Sequence, residues 1–230
     1  LLAGTPLKLE ANSPLQPVPR AGTPTLLVLQ NRDFRSLWTS GGLSEGARRL
    51  EIFTLSWFIL VTTNSPFQLG LPWVFFHAPS PLFGLFSGAL ADRFSRHKVL
   101  VSAQVINTFT ALAILLLIVG DLIQPWHVYV ASFVSGTTRT LDQPSRRVAI
   151  LDIVGARRLI NAMSLEAIGR TVGRMGGVLL AGGLISLSGI GAAYGCGLAI
   201  HLLTLWLLIR VTIPRSGGIP RAESVWSSLS

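Results

Sequence analysis

The chain has 230 residues, of which half are hydrophobic and only 13% are charged, and its mean hydropathy is +0.56. A soluble domain carries about 25% charged residues, so this chain cannot cover the surface of a soluble globule with charge, and hydrocarbon is the more plausible solvent. The single cysteine excludes a disulfide framework, and the net charge of +9 makes nucleic acid a partner to be weighed against the placement of the basic residues.

The first 30 residues hold five prolines and no apolar run long enough for a membrane span or a signal peptide. We expect residues 1–30 to form a disordered cytoplasmic tail. The first predicted span, 38–62, carries four charged residues in its N-terminal half: Glu45, Arg48, Arg49 and Glu51. Only residues 50–63 are convincingly apolar, fewer than the roughly 20 that cross a bilayer. Whether this segment crosses depends on the charges of the loops.

Five more apolar segments follow, and the six together predict a transmembrane bundle over residues 31–213. Their bounds are about 68–90, 99–120, 126–146, 162–187 and 193–213. Residues 214–230 are rich in Pro, Gly and Ser and predict the start of a cytoplasmic linker. Because residue 1 is not methionine and the chain ends in this linker-like stretch, we expect truncation at both ends.

Loops with and without basic residues alternate along the whole chain. Lys and Arg occur in both terminal tails and after the second and fourth spans, whereas the loops 63–67, 121–125 and 188–192 contain neither. Since basic residues favour the cytoplasmic side of short loops, the first segment must cross the membrane. The prediction is a multi-pass, all-α protein of the cell (inner) membrane with six helices and both termini in the cytoplasm. The positive charge is then explained by the basic residues of the cytoplasmic loops. We therefore expect the lipid bilayer, and not nucleic acid, as a partner.

The hairpin between the second and third spans reads SGALADRFSRHK over residues 87–98. The helix dipole disfavours a carboxylate at a helix C-terminus, so Asp92 needs a cationic partner or the N-terminus of another helix. Arg146 and Arg147 at the end of the fourth span are candidate partners, or else anchors at the membrane interface. Gly88 would allow a neighbouring helix to approach closely. The alternative is a simple topogenic turn.

This hairpin resembles the signature loop between helices two and three of the major facilitator superfamily, usually written G-x-L-A-D-R-x-G-R-R/K. Ser95 stands where the family prefers glycine, and His97 stands where a basic residue is usual. The resemblance implies a latch that closes the cytoplasmic face. The gating residues that it implies are Gly88, Asp92, Arg93, Arg96 and Lys98, with Arg146 and Arg147 as partners.

Three other stretches are similar to one branch of this superfamily, the bacterial multidrug and siderophore exporters of the enterobactin exporter type. WFILVTTNSPFQLG at the end of the first span resembles W-x5-T-x-S-P-x3-G, DQPSRR (142–147) resembles D-x-P-x-R, and NAMSL (161–165) resembles N-A-x-x-L. The chain departs from the branch at GVLLAG (177–182), where Val178 replaces the proline of an antiporter-like Gly-Pro-x-x-x-Gly motif.

The superfamily has twelve helices in two halves, with substrate bound between them near the midplane. The resemblance therefore implies that the chain is a truncated N-terminal half, partnered by a missing second half or by another copy. It implies a secondary active exporter of small amphipathic molecules, drug or siderophore in type and proton-coupled. Residues 214–230 would then begin the central cytoplasmic linker.

Ionisable side chains at membrane depth are costly and usually face the bundle interior, which makes them candidates for binding substrate or protons. Several of them are three or four residues apart, so they share a helix face and can pair. Glu166 forms such a stripe with Arg170 and Arg174, or else it faces water at the cytoplasmic end. The candidates are Glu45, Arg48, Arg49, Glu51, Arg139, Asp142, Glu166 and Arg170.

Other function classes have weaker support. Ser135 on the fourth span and His201 on the sixth are similar to the dyad of rhomboid intramembrane proteases, but that family needs G-x-S-G and this chain reads FVSG (133–136). The sequence has no phosphate-binding loop of a primary pump and no Cys/His cluster with zinc-site spacing. We therefore expect no enzyme, metal or cofactor. A non-transporting or homodimerising six-helix membrane protein is the alternative.

Overall fold

The computed structural model describes residues 25–83 and 95–211, and the regular structure within these ranges is entirely helical, as predicted. A 3₁₀ helix, Thr25–Gln30, leads into the first long helix, and a second, Ala156–Arg158, precedes the last. The α-helices are α1 (Arg32–Thr63), α2 (Pro66–His77), α3 (Arg96–Val119), α4 (Pro125–Val154) and α5 (Leu159–Ile209).

α1 runs unbroken through the charged stretch that makes the first predicted span ambiguous. Asn31 caps its N-terminus, because its side-chain oxygen accepts hydrogen bonds from the backbone N–H groups of Asp33 and Phe34 at 2.9 and 3.2 Å. The helix ends at Asn64, which has the left-handed φ of 49°. The helix is therefore 32 residues long and begins six residues before the predicted start at residue 38.

The second predicted helix, 68–90, is not continuous. α2 ends at His77, Ala78 forms a turn, and residues 79–83 are helical again. Pro79 and Pro81 follow the turn, and because proline has no backbone N–H, neither residue can donate the hydrogen bond that a continuous helix needs there. Residues 84–90 of the predicted span lie outside the described residues.

α5 contains both of the last two predicted spans. Gly189 interrupts it with φ 82° and ψ 178°, values that glycine adopts without a Cβ clash, so the helix divides into a first arm, 159–188, and a second arm, 190–209. The base-free loop predicted at 188–192 is thus reduced to a kink. α4 continues eight residues past the predicted end at Arg146, and it is not interrupted at Pro144.

Two stretches of the described residues are long and apolar enough to cross a membrane by length and composition. They are Arg96–Val119, with a mean hydropathy of 2.0, and Ala156–Ile209, with a mean hydropathy of 1.8. The second stretch is 54 residues long, about twice what one crossing needs, and it contains the kink at Gly189. Large apolar side chains of both helices face outward, among them Phe109, Leu116, Leu179 and Leu187.

The interior has two apolar clusters, one at each end of the helices. The first includes Phe34, Leu37, Leu100, Ile150 and Leu165. The second includes Ile59, Ile114, Val128 and Tyr194. The buried polar residues of α1, α3, α4 and α5 fall between these clusters along the chain, so a polar layer crosses the middle of the bundle. We call this the central polar layer; its ionisable members are Glu45, Arg48, Arg49, Glu51, Arg139, Asp142, Arg146, Glu166, Arg170, Arg174 and His201.

Candidate functional site

The central polar layer depends on an unusually close contact between α1 and the first arm of α5. A Cβ atom added at Gly173 would collide with the carbonyl oxygen of Gly42, and one added at Gly177 would collide with that of Gly46. Only glycine leaves room for two backbones to approach in this way. The contact brings the middle of α1 against the middle of the first arm, where ionisable side chains of both helices meet.

Glu45 is the centre of this layer. It is 1% exposed, and its carboxylate accepts hydrogen bonds from Arg49 Nε and Nη2, both at 3.3 Å. Arg170 Nη2 and Arg174 Nε approach the same carboxylate from α5, at 3.4 and 3.6 Å. One carboxylate therefore serves three guanidinium groups, of which one lies on its own helix and two on the facing helix.

Two arginines flank the aromatic side chains of α2. The guanidinium carbon of Arg49 lies 5.4 Å from the ring centroid of Trp73 and 5.9 Å from that of Phe76. The guanidinium carbon of Arg139, on α4, lies 5.7 Å from the same Phe76 ring. All three distances are within the range of cation–π attraction. Phe76 is therefore close to two cations, and His77 follows it on the exposed side of α2.

Arg48 and Arg139 have fewer partners than Arg49. Arg48 is 3% exposed, and its Nε atom, like that of Arg139, is buried without a hydrogen-bond acceptor among the described residues. Asp142 and Glu45 are the carboxylates that act on Arg48 electrostatically, and Glu45 is the one that acts on Arg139. Neither arginine has a carboxylate within salt-bridge distance in the described parts of the chain.

Arg146 is 1% exposed and links three helices. Its Nη2 donates to Asp142 on its own helix at 3.3 Å, and its Nη1 donates to the carbonyl oxygen of Leu37 at 2.8 Å and to Ser40 Oγ at 3.1 Å on α1. Glu166 on α5 lies 4.0 Å from its Nε. The prediction that Arg146 anchors the bundle at the membrane interface is therefore wrong, because the side chain is an interior link.

Glu166 is 4% exposed, which overturns the alternative that it faces water. Neither of its carboxylate oxygens has a hydrogen-bond donor among the described residues, and the cation at salt-bridge distance is Arg146. Arg170 and Arg174, which share its predicted stripe, turn instead toward Glu45. The stripe on α5 therefore divides between two acidic partners.

Glu51 faces the second arm of α5 and meets His201 there. His201 Nε2 lies 3.0 Å from Glu51 Oε1, and its Nδ1 lies 2.9 Å from the side-chain nitrogen of Gln104. This imidazole is fully buried, its Nε2 makes no hydrogen bond among the described residues despite the short distance to Glu51, and neither ring nitrogen hydrogen-bonds Ser135. The arrangement that a serine–histidine dyad needs is not formed. A narrow cavity beside Glu51 is lined in part by Arg48, Phe76, Ser132 and Tyr194.

The predicted gating residues Gly88, Asp92 and Arg93 lie outside the described residues. Of the hairpin, the structure describes Arg96, which forms an ion pair with Asp152 near the end of α4, and Lys98, which is exposed. Arg147 is exposed as well, unlike its neighbour Arg146. The hairpin is thus joined to α4 by Arg96 and Asp152.

The pattern of charges in the sequence does not single out Asp152 or the partners of two candidates, Asp142 and Glu51. Asp152 could have been found as the acidic residue next to the basic gap after the fourth span. Asp142 was expected beside Arg139 at spacing three, but it pairs with Arg146 at spacing four, which the pattern allows equally. The partner of Glu51, His201, lies 150 residues away along the chain, beyond the reach of any spacing rule.

A family model described as "Transmembrane secretion effector" matches residues 23–221 of the chain, which includes every described helix. Neither a curated protein nor a solved structure matches it.

Proposed function

Since the chain belongs to the transmembrane secretion effector family of the major facilitator superfamily, we propose that it is part of a secondary active exporter of small amphipathic molecules. The observation that supports this most directly is the central polar layer, in which Glu45 meets arginines of two helices near the middle of α1 and of the first arm of α5. Ionisable groups at that depth are costly, and they mark substrate and ion pathways.

We further propose six spans over residues 31–213, with residues 1–30 and 214–230 on the cytoplasmic side of the inner membrane. Five helices are described, and the kink at Gly189 divides the longest into two arms that would each cross the bilayer. The first arm is 30 residues long and the second is 20, and each reaches the roughly 20 residues that a crossing needs. Together with residues 66–90, this makes six crossings, with the basic segments on one side.

Alternating access in this proposal moves the bundle against a second six-helix half or against another copy of the chain. The small-molecule substrate would bind between the two bodies, beside the central polar layer and near the bilayer midplane. Glu45 would couple transport to protons, because a proton on its carboxylate would weaken its hold on the arginines of both α1 and α5. The substrate-side candidates are Arg48, Arg49, Glu51, Arg139, Asp142, Glu166 and Arg170.

The cytoplasmic gate in this proposal is the hairpin of Gly88, Asp92, Arg93, Arg96 and Lys98. The ion pair between Arg96 and Asp152 supports a gate at this position, because it ties the start of α3 to the end of α4. Arg147 is available to Asp92 as a partner, since it is exposed, whereas Arg146 is committed to Asp142 and Leu37.

Transport in proteoliposomes tests the proposal. The whole gene product, including whatever its gene encodes after Ser230, is reconstituted, and an imposed pH gradient is used to drive fluorescein and rhodamine 123, two fluorescent amphiphiles built on the same ring system. We expect uptake of at least one probe to depend on the gradient and to be abolished by Glu45→Gln. Arg157→Gln is the matched control, because Arg157 is exposed in the 3₁₀ helix outside the central polar layer. Gradient-independent uptake of both probes would contradict the exporter.

A further inference from the structure

The central polar layer has an excess of positive charge. Its arginines outnumber its carboxylates by six to three when Glu51, which faces His201, is set aside. The arginines are Arg48, Arg49, Arg139, Arg146, Arg170 and Arg174, and the carboxylates are Glu45, Asp142 and Glu166. Counting Glu51 as well still leaves two more cations than anions. In a layer that hydrocarbon would surround, such an excess is unfavourable unless an anion joins it.

The excess is localised where a ligand could reach it. Arg146 is satisfied by Asp142, Leu37 and Ser40, while Arg49, Arg170 and Arg174 share Glu45. Arg139 is left: it is partly exposed, it has no ion pair among the described residues, and its buried Nε has no acceptor there. Arg48 likewise has no ion pair among the described residues, and its buried Nε has no acceptor there; its side chain is buried.

Aromatic rings complete the surroundings of Arg139. The Phe76 ring lies within cation–π distance of both Arg139 and Arg49, and the Trp73 ring lies within that distance of Arg49. A planar guanidinium stacks on aromatic rings and pairs with carboxylates through two parallel hydrogen bonds. A site with two such groups around an aromatic side chain therefore fits a molecule that is both aromatic or amphipathic and negatively charged.

We propose that the substrate is an organic anion, with its negative group held by Arg139 and its apolar body packed against the partly exposed Trp73. This inference rests on the proposed transport function and specifies the charge of the molecule carried. A cation would be disfavoured at this position, because Glu45, the carboxylate that acts electrostatically on Arg139, is enclosed by three guanidinium groups.

Binding of matched probes tests the charge. Fluorescein is an anion and rhodamine 123 is a cation with the same ring system, so comparing their fluorescence anisotropy with the purified whole gene product isolates the effect of charge. We expect fluorescein to bind at least tenfold more tightly. Arg139→Gln should weaken fluorescein binding about tenfold, the loss expected for one charge-assisted hydrogen bond. Arg139→Lys, which keeps the charge, should recover part of that loss, and Arg157→Gln should change nothing.

The outcomes separate the two proposals. Equal or tighter binding of rhodamine 123 would overturn the anion site, as would fluorescein binding that is unchanged in a folded Arg139→Gln variant. If Arg139→Gln fails to fold, two other measurements test the anion site. They are the fluorescein affinity of Arg139→Lys relative to the unmodified protein and the preference of the unmodified protein for fluorescein over rhodamine 123. Fluorescein binding without gradient-driven uptake would sustain the anion site and contradict the exporter. Gradient-driven uptake of rhodamine 123 without fluorescein binding would sustain the exporter and contradict the anion site.

Discussion

The three arginines around Glu45 should differ in how strongly they couple to it. Arg170 is 16% exposed and approaches the carboxylate at 3.4 Å, whereas Arg174 is half exposed and approaches at 3.6 Å. A hydrogen bond to a charged and desolvated group contributes about 1.5–3 kcal/mol, while exposed ion pairs contribute about 0–1 kcal/mol because water screens them. We therefore expect a coupling energy of roughly 2 kcal/mol between Glu45 and Arg170 and less than about 1 kcal/mol between Glu45 and Arg174.

Two double-mutant cycles measure these energies. Glu45→Gln is combined with Arg170→Gln in one cycle and with Arg174→Gln in the other, since glutamine removes the charge and keeps a similar length. The free energy of unfolding is followed by circular dichroism during titration of mixed micelles with SDS, and the coupling is the departure from additivity. Equal coupling energies in the two cycles would show that burial does not set the strength of these pairs, and a coupling energy near zero in both would refute the assignment of Glu45 as the organising group of the layer.

Three further results are expected. Gly173→Ala should destabilise the protein by about 1–3 kcal/mol because the added Cβ meets the Gly42 carbonyl. Gly176→Ala, with open space around it, should not destabilise the protein. Equal unfolding free energies of the two variants would contradict the close contact of α1 and α5. In a Cys196→Ala background, cysteines at Leu122 and Ser188 should react with an impermeant maleimide outside intact cells and one at Ser95 should not; labelling of Ser95 from outside would end the six-span proposal. Reversing one charge of the Arg96–Asp152 pair should lower transport and reversing both should restore it, and an unrestored double variant would show that the pair does not act in the gate.

The all-helical fold could be predicted because apolar runs and turn residues are local signals. The course of α1 is the instructive case: hydropathy alone fails over residues 44–51, and the alternation of basic loops supplies the missing information. The break after His77 was also readable in principle, since Pro79 and Pro81 stand inside the predicted second helix. The kink that replaces a loop at Gly189 was not, because a glycine within SGIGA fits either geometry.

The ionisable residues of the central polar layer could be predicted from the sequence, but most of the ion pairs between them could not. Placing an ionisable side chain at membrane depth costs free energy, so residues such as Glu45, Arg139 and Asp142 can each be identified from the sequence without knowing their neighbours. Which carboxylate meets which guanidinium depends on how closely α1 and α5 approach, and that distance is set by Gly173 and Gly177 across the interface. The burial of Arg146 has the same origin, because its partner Leu37 contributes a backbone carbonyl that no side-chain pattern reveals.

Gradient-driven uptake of fluorescein into proteoliposomes tests the central claim most directly. The probe is counted after filtration and lysis at one fixed pH, so that its own response to pH does not enter the result. We predict accumulation above equilibrium only while the gradient lasts, with loss of accumulation in Glu45→Gln and full activity in Arg157→Gln. Uptake that stops at equilibrium, or that is the same with and without the gradient and in Glu45→Gln, would contradict a secondary exporter coupled through the central polar layer.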